Sequence, residues 1–229
     1  MIKRGAAPAT IPLGCDLVTE TWLADTRTSY DTVASAYADV VRDFFTALPQ
    51  MRAALTLFAD LVTRDGGGPV ADVGCGPGHV TAALHGLGVD AFGIDLSPGM
   101  IDLARREHPE LRFEVGSMTD LDLADGSLAG LIAWWSLIHI PDEAIPGVLA
   151  GFRRVLRPGG LLQVGFHVGE DATLKTSGYG GQPMHVYVYR RSVAVVSDRL
   201  REAGFRIEAS WLLGPDEERP GAVIFARGV

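Results

Sequence analysis

Val70-Ala-Asp-Val-Gly-Cys-Gly-Pro-Gly-His-Val-Thr81 is the stretch of sequence that decides the fold of this chain. The residues from Pro69 to Val73 predict a short, fully buried strand, and the glycines and proline that follow predict a tight turn. A helix is expected from about His79. A buried strand, a glycine-rich turn and a helix N-terminus in this order direct backbone N–H groups at an anionic or nucleotide-like ligand.

Two carboxylates mark this region of the chain. Asp72 lies at the end of the first strand, where it would repel a pyrophosphate; it is suited either to accept a hydrogen bond from an ammonium group or to hold the glycine turn in place. Asp95 ends the next predicted strand, Ala91 to Asp95, and suits the two ribose hydroxyls of an adenosine. Glycine-rich turns also serve as plain strand-to-helix connections. The inference of a nucleotide-like ligand therefore rests on the glycine turn and Asp95 occurring together and in this order.

The glycine spacing resembles that of a known family. Asp72, Gly74, Gly76 and Gly78 match the D-x-G-x-G-x-G pattern of the class I S-adenosylmethionine-dependent methyltransferases, whereas the dinucleotide fingerprint is spaced G-x-G-x-x-G. The resemblance implies an α/β, Rossmann-like doubly wound sheet of seven strands, mostly parallel with one reversed edge strand, plus an N-terminal helical lid. It implies S-adenosyl-L-methionine as the cofactor and methyl transfer as the reaction.

The resemblance also implies which residues contact the cofactor. Family members commonly carry an acid at the position of Ser117, whose hydroxyl can still accept a hydrogen bond from adenine, without charge assistance. Met100 is expected against the adenine; it could also be an ordinary core methionine, and the two roles are compatible. The cofactor-binding residues expected on this basis are Tyr37, Asp72, Gly74, Gly76, Gly78, Asp95, Leu96, Met100, Ser117, Met118, Ala133 and Trp134.

An N-terminal helix is predicted from about Glu20 to Leu48, because apolar and aromatic residues recur there at three- and four-residue spacing. Its tyrosines Tyr30 and Tyr37 could be core residues. The segment from Tyr30 to Tyr37 also matches the family's Y-D-x-x-A-x-x-Y lid, which would lie over the cofactor and exclude water. Asp31 or Ser29 could cap the second part of this helix.

The residues after the fourth predicted strand, Leu128 to Ala133, are expected to face the ligand, because ligands bind at the carboxyl ends of strands in open α/β sheets. Among them, His139 is the best candidate for a general base, since its ordinary pKa lies near neutral pH. The alternative is a histidine that hydrogen-bonds the backbone before Pro141. His167 falls near the end of the fifth strand, Leu161 to Val168, again on the ligand side.

The segment from Gly169 to Gly181 is rich in glycine, serine and threonine and predicts a functional loop. The following residues alternate, so that His185, Tyr187 and Tyr189 share one face of a strand. That face could line a substrate pocket or be the solvent-exposed side of an edge strand, and the pocket is slightly favoured. The candidate catalytic residues are His139, His167 and His185, and the candidate substrate contacts are Tyr30, Trp135, His139 and Tyr187.

Composition limits the class of function. The chain has 229 residues and a formal net charge of −8, which argues against a nucleic-acid substrate and favours a small-molecule or peptide acceptor. Cys15 and Cys75 are far apart in sequence, and neither a disulfide framework nor a metal site is indicated. No membrane or export segment is found, so a cytoplasmic protein, monomeric or homodimeric, is expected.

One domain is expected. Residues 1–18 are predicted as a flexible lead-in and 19–229 as a single methyltransferase domain, in which 19–64 supply the helical lid and outer helices and 169–190 a substrate-facing insertion. Two other functions stay open at this point. A non-catalytic S-adenosylmethionine-binding protein would keep every cofactor motif, and a nicotinamide-dependent oxidoreductase would use the same sheet but needs the other glycine spacing.

Overall fold

The computed structural model describes residues 15–42 and 48–229, with side chains from residue 21 onward. The helices are α1 (Cys15–Val41), α2 (Pro49–Arg64), α3 (His79–Gly86), α4 (Pro98–Glu107), α5 (Ile145–Val155) and α6 (Val193–Glu202). The strands are β1 (Val70–Val73), β2 (Ala91–Asp95), β3 (Phe113–Val115), β4 (Leu128–Trp134), β5 (Leu156–His167), β6 (Ala172–Ser177), β7 (Pro183–Tyr189), β8 (Phe205–Leu213) and β9 (Gly221–Gly228). Short 3-10 turns cover Leu137–His139 and Tyr179–Gly181.

Seven of these strands form one sheet in the order β3-β2-β1-β4-β5-β9-β8. The pairs among the first five are parallel, and β9 runs antiparallel to both of its neighbours. The predicted Rossmann-like sheet is therefore confirmed, with the reversed strand lying second from one edge and β8 outermost. The strand order changes direction between β1 and β4, and this switch opens a crevice at the carboxyl ends of the strands.

Both faces of the sheet are covered. Phe58 of α2 and Leu84 of α3 pack on one face, while Phe152 of α5 and Leu200 of α6 pack on the other. Every residue of β1 and of β4 is buried, as expected for parallel strands between two helical layers. Apolar side chains on both faces thus fix β1 and β4 at the centre, and their carboxyl ends hold the site.

Several boundaries match the sequence-based expectation. Strand β2 has the predicted ends, β1 and β4 differ from their predicted ends by one residue, and α3 begins at His79 as predicted. Helix α1 begins at Cys15, inside the predicted lead-in, and ends at Val41. Residues 1–14 of that lead-in, and residues 43–47 of the predicted N-terminal helix, lie outside the described residues.

Two predictions were wrong: the start of the fifth strand and the loop at 169–181. Strand β5 begins at Leu156, not Leu161; Leu156 pairs with Leu128 and Leu161 with Gly130, so the residues between form a bulge within the strand. The predicted loop 169–181 contains β6, which pairs antiparallel with β7 as a separate two-stranded sheet. Strand β6 is mostly exposed and carries no alternating apolar pattern, so only its pairing with β7 defines it.

Within the described ranges, none of the helices combines the length and the apolar character that crossing a membrane requires.

Candidate functional site

Two adjoining cavities open at the carboxyl ends of the central strands, beneath α1. The Asp95 cavity encloses about 720 Å³ including its mouth, and it is lined by Gly74, Gly76, Asp95, Leu96, Met100, Ser117, Met118 and His139 among others. The His167 cavity encloses about 1360 Å³ including its mouth, and it is lined by His167, Met51, Ile138, Tyr179, Leu213 and Arg219 among others. Tyr30, Tyr37, Gly74, Trp134 and Trp135 line both cavities and form the wall between them.

The glycine turn is built by backbone geometry at the end of β1. Gly74 has φ +79°, a conformation that L side chains rarely adopt. A Cβ at Gly74 would also lie 2.8 Å from Ser136 Oγ, and closer still to its Cβ. Ser136 in turn donates to the carbonyl of Val73 at 2.7 Å, so the turn and the residues after β4 lock together.

Asp95 is held by the main chain on two sides. Its Oδ2 accepts from the Gly76 N–H and its Oδ1 from the Ser97 N–H, both at 2.8 Å. Burial raises the pKa of Asp95 to about 6, although the hydrogen bonds from Ser97 and Gly76 act in the opposite direction. A carboxylate fixed in this way keeps further lone pairs for hydroxyl donors in the Asp95 cavity.

Asp72 lies behind the turn and is fully buried. Its Oδ2 accepts from the Thr81 hydroxyl of α3 at 2.7 Å, while Oδ1 has no hydrogen-bond partner among the described residues. Burial raises the pKa of Asp72 to about 7. Of the two roles left open for this carboxylate, the bond to Thr81 matches the one in which Asp72 holds the turn to the helix.

The middle of helix α1 is attached to helix α4 and to strand β7. Asp31 Oδ1 accepts from the Ser97 hydroxyl at 2.5 Å and from the Gly99 N–H at 2.9 Å, both at the start of α4. The Ser29 hydroxyl accepts from the His185 N–H of β7 at 2.8 Å. The expected capping of α1 by Asp31 or Ser29 was wrong, because α1 is continuous and these side chains join it to α4 and β7 instead.

His139 and Tyr30 form a hydrogen-bonded pair over the Asp95 cavity. His139 Nδ1 lies 2.8 Å from the Tyr187 carbonyl, which can only accept, so Nδ1 carries the proton in the neutral ring. Nε2 therefore accepts from the Tyr30 hydroxyl at 2.6 Å. Burial lowers the pKa of His139 to about 4 and raises that of Tyr30 well above 10, so both groups are neutral near pH 7.

Trp135 stands between the two cavities in a strained backbone conformation. It is the one non-glycine residue of the described chain with positive φ, at +52°, and such strain is concentrated at functional sites. Its indole N–H donates to His167 Nδ1 at 3.4 Å, which leaves the proton of the neutral His167 ring on Nε2. Burial and the nearby cations Arg190, Arg219 and Lys175 lower the pKa of His167.

The structure brings most, but not all, of the expected site residues to the cavities. Gly78 lies below the turn, where a Cβ would be 2.7 Å from the Phe113 ring, and Ala133 belongs to the buried core. The side chains of His185 and Tyr187 lie on the exposed face of β7 and line neither cavity, which corrects their expected place in a pocket wall. Met184 and Val186 occupy the inner face, packed on Val33 of α1, and so turn His185 and Tyr187 outward.

Sequence reasoning missed several residues at the site. The Trp22 turn of α1 lines the Asp95 cavity, and Glu217 and Arg219 of the β8–β9 connection line the His167 cavity. No local pattern in the sequence marks these residues as cavity lining, because only the packing of α1 and of the β8–β9 hairpin on the sheet brings them to the cavities. In the described residues no group of three or more His, Cys, Asp or Glu is arranged to hold a metal.

Comparison with known proteins matches part of the chain to methyltransferases. Residues 70–160 match the family model described as a methyltransferase domain. Demethylmenaquinone methyltransferase of Renibacterium salmoninarum is 32% identical over 137 residues, which cover 59% of this chain and 55% of that protein. The chain spans between 54% and 65% of the length of the first curated relatives that it matches.

Solved structures share the fold over nearly the whole chain. The magnesium protoporphyrin IX methyltransferase of Synechocystis PCC 6803 has a TM-score of 0.69 at 16% identity, covering 91% of this chain and 97% of that one. The 1,6-didemethyltoxoflavin-N1-methyltransferase of Burkholderia thailandensis has a TM-score of 0.66 at 22% identity, covering 97% and 94% respectively. The chain is thus similar to S-adenosylmethionine-dependent methyltransferases in the segment that carries the glycine turn and Asp95, and it shares their fold over most of its length.

Proposed function

We propose that this protein binds S-adenosylmethionine in the Asp95 cavity and transfers its methyl group to a small-molecule acceptor in the His167 cavity. The observation that carries the proposal is the wall shared by the two cavities, formed by Tyr30, Tyr37, Gly74, Trp134 and Trp135. Methyl transfer requires the nucleophile and the sulfonium in line at close range, and two cavities that adjoin at shared residues can supply this arrangement.

The residues of the Asp95 cavity fit the cofactor. Asp95 is a half-buried, backbone-fixed carboxylate suited to two ribose hydroxyls, and Gly76 lies close enough to Tyr37 that an added Cβ would contact its ring at 3.5 Å. We assign Leu96, Met100, Ser117 and Met118 to the adenosine end and Trp134 to the methionine end. The bound cofactor supplies an electrophilic methyl group, so the protein's task is mainly to orient and to exclude water.

We assign proton removal to the Tyr30–His139 pair. As an acceptor O–H or N–H loses its proton to the Tyr30 oxygen, the Tyr30 proton passes to His139 Nε2, and Nδ1–H keeps its bond to the Tyr187 carbonyl. The acceptor's proton thus ends on the Tyr30 oxygen and the former Tyr30 proton on His139 Nε2, so that Tyr30 stays neutral and the imidazole carries the positive charge. His139 acts through Tyr30 in this scheme, because the tyrosine hydroxyl occupies its free nitrogen. His167 and Trp135 would orient the acceptor.

The test has two stages. Calorimetric titration with S-adenosylhomocysteine, with NADH as the control ligand, examines cofactor choice; binding of NADH alone would contradict the proposal and favour the oxidoreductase alternative. Transfer of a radiolabelled methyl group to a panel of phenols, carboxylic acids, amines and thiols then examines catalysis. Binding without turnover across a broad panel would favour the non-catalytic alternative.

A cytoplasmic location and a monomeric or homodimeric state stay predictions.

A further inference from the structure

Two cations lie beside the His167 cavity without a carboxylate partner. Arg219 lines the cavity, and Lys175 Nζ lies 4.2 Å from the ring centroid of Tyr179, which also lines it. Neither cation has a carboxylate oxygen within 4.0 Å in the part of the chain that the structure describes. A third cation nearby, Arg190, lies 3.7 Å from Asp171 and is therefore paired.

The positive charge of Arg219 and Lys175 is opposite in sign to the net charge of the whole chain, which is −8. Lys175 is half-buried, and burial together with Arg219 lowers its pKa, so the two cations act on each other. The acid that lines the same cavity, Glu217, does not pair with Arg219 within 4.0 Å. Unpaired cations around a concave site attract anionic ligands and raise the rate of their encounter.

Most of the remaining lining of the His167 cavity is aromatic or apolar. Trp134, Trp135, Tyr30, Tyr37 and Tyr179 supply rings, and further apolar lining comes from Val40, Val41, Leu48, Met51, Ile138 and Leu213. Apolar walls with a few placed polar groups are typical of sites for flat organic molecules. The cations stand to one side of this surface, toward the β6–β7 hairpin and the β8–β9 connection.

We propose that the acceptor is a largely apolar, aromatic molecule that carries an anionic group, with its ring against the wall of aromatic side chains and its anion between Arg219 and Lys175. The inference rests on the proposed function, since it gives the class of acceptor for the His167 cavity. The cations then fix which end of the acceptor reaches the shared wall.

The experiment uses two dyes with the same aromatic body. 1-Anilinonaphthalene-8-sulfonate is anionic and N-phenyl-1-naphthylamine is neutral, and both are titrated by fluorescence into the full chain saturated with S-adenosylhomocysteine. We expect R219Q and K175Q each to weaken binding of the anionic dye by about fivefold and that of the neutral dye by less than about twofold. Added salt should weaken only the anionic dye.

Two further variants locate the dyes and control for charge. Val40 lines the cavity and is 61% exposed, so V40W should fold normally, narrow the cavity and weaken both dyes. Arg106 is an exposed arginine of α4 away from both cavities, and R106Q should change neither affinity. Equal losses for both dyes in R219Q, or no loss for the anionic dye, would overturn the inference.

Calorimetry with S-adenosylhomocysteine separates this result from the proposed function. If the cofactor product fails to bind, the proposed function fails, and the dye titrations are repeated without it to judge the cavity alone. If the cofactor product binds and the anionic dye shows no dependence on Arg219 or Lys175, only the acceptor class is wrong.

Discussion

The Tyr30 hydroxyl lies 2.6 Å from His139 Nε2, and this bond joins helix α1 to the turn that follows β4. The carbonyl of Tyr187 fixes the other nitrogen of the same ring. Helix α1, the turn and the β6–β7 hairpin therefore meet at one imidazole, at the edge of the Asp95 cavity. A side chain with such constraints has one tautomer and one orientation, which is what proton transfer requires.

The first prediction concerns the protonation of His139. In the wild-type protein the ring should titrate near pH 4, because burial disfavours its charged form. Tyr30→Phe removes a donor that favours the neutral ring, so the pKa of His139 should rise. Nitrogen-15 NMR of the labelled histidine measures this without an acceptor. An unchanged value in Tyr30→Phe would mean that the pair does not form in solution.

The second prediction concerns turnover. His139→Ala and Tyr30→Phe should each lower the rate of methyl transfer by about a hundredfold, with little effect on S-adenosylhomocysteine affinity, and the double variant should lose little more. His85→Ala, at a histidine near the end of α3 away from both cavities, is the matched control. Full activity in His139→Ala would return this histidine to a structural role, and additive losses would argue against a single relay.

The third prediction concerns the ribose contact. Asp95→Ala should weaken S-adenosylhomocysteine binding by about a hundredfold, because two ribose hydroxyls lose their acceptor. Asp102→Ala, at an exposed acid of α4, should leave the affinity unchanged. Calorimetry measures both, and equal affinities for the two variants would show that the ribose contact is misplaced.

The fourth prediction is the pH dependence of cofactor binding. Burial raises the pKa of Asp95 to about 6, so its carboxylate form predominates at pH 7.5 and its protonated form at pH 5. Affinity for S-adenosylhomocysteine should therefore fall as the pH is lowered through 6, by about tenfold at pH 5. Asp95→Asn should bind weakly at both pH values. A wild-type affinity that rises on acidification would contradict the assignment.

The fifth prediction separates close contact from backbone strain in the glycine turn. Gly74→Ala combines a positive φ with a clash against Ser136, whereas Gly88→Ala has φ +83° and no atom within 4 Å of its Cβ. Gly74→Ala should lower the free energy of unfolding by about 3 kcal/mol and Gly88→Ala by about 1 kcal/mol. Urea unfolding measures both, and equal losses would mean that the turn yields to the added methyl group.

The sequence predicted the central elements because their signals are local. A run of buried apolar residues predicts β1 and β4, and the spacing of Asp72, Gly74, Gly76 and Gly78 predicts a turn with positive φ at its glycines, as found. Asp95 was identifiable from its place at the end of the second strand. Strand β6 was not, because its exposed residues carry no periodic pattern until β7 pairs with them.

By itself the sequence determined most of the strands and helices of the seven-stranded sheet, the glycine turn and the carboxylate that follows it, since each depends on neighbours in the chain. Only the tertiary structure decided that His139 faces Tyr30, that Asp31 attaches α1 to α4, and that Tyr187 contributes its carbonyl while its ring points to solvent. These contacts join residues 48 to 109 positions apart. Their geometry is set by how α1 and the hairpin pack across the ends of the sheet, which no local pattern encodes.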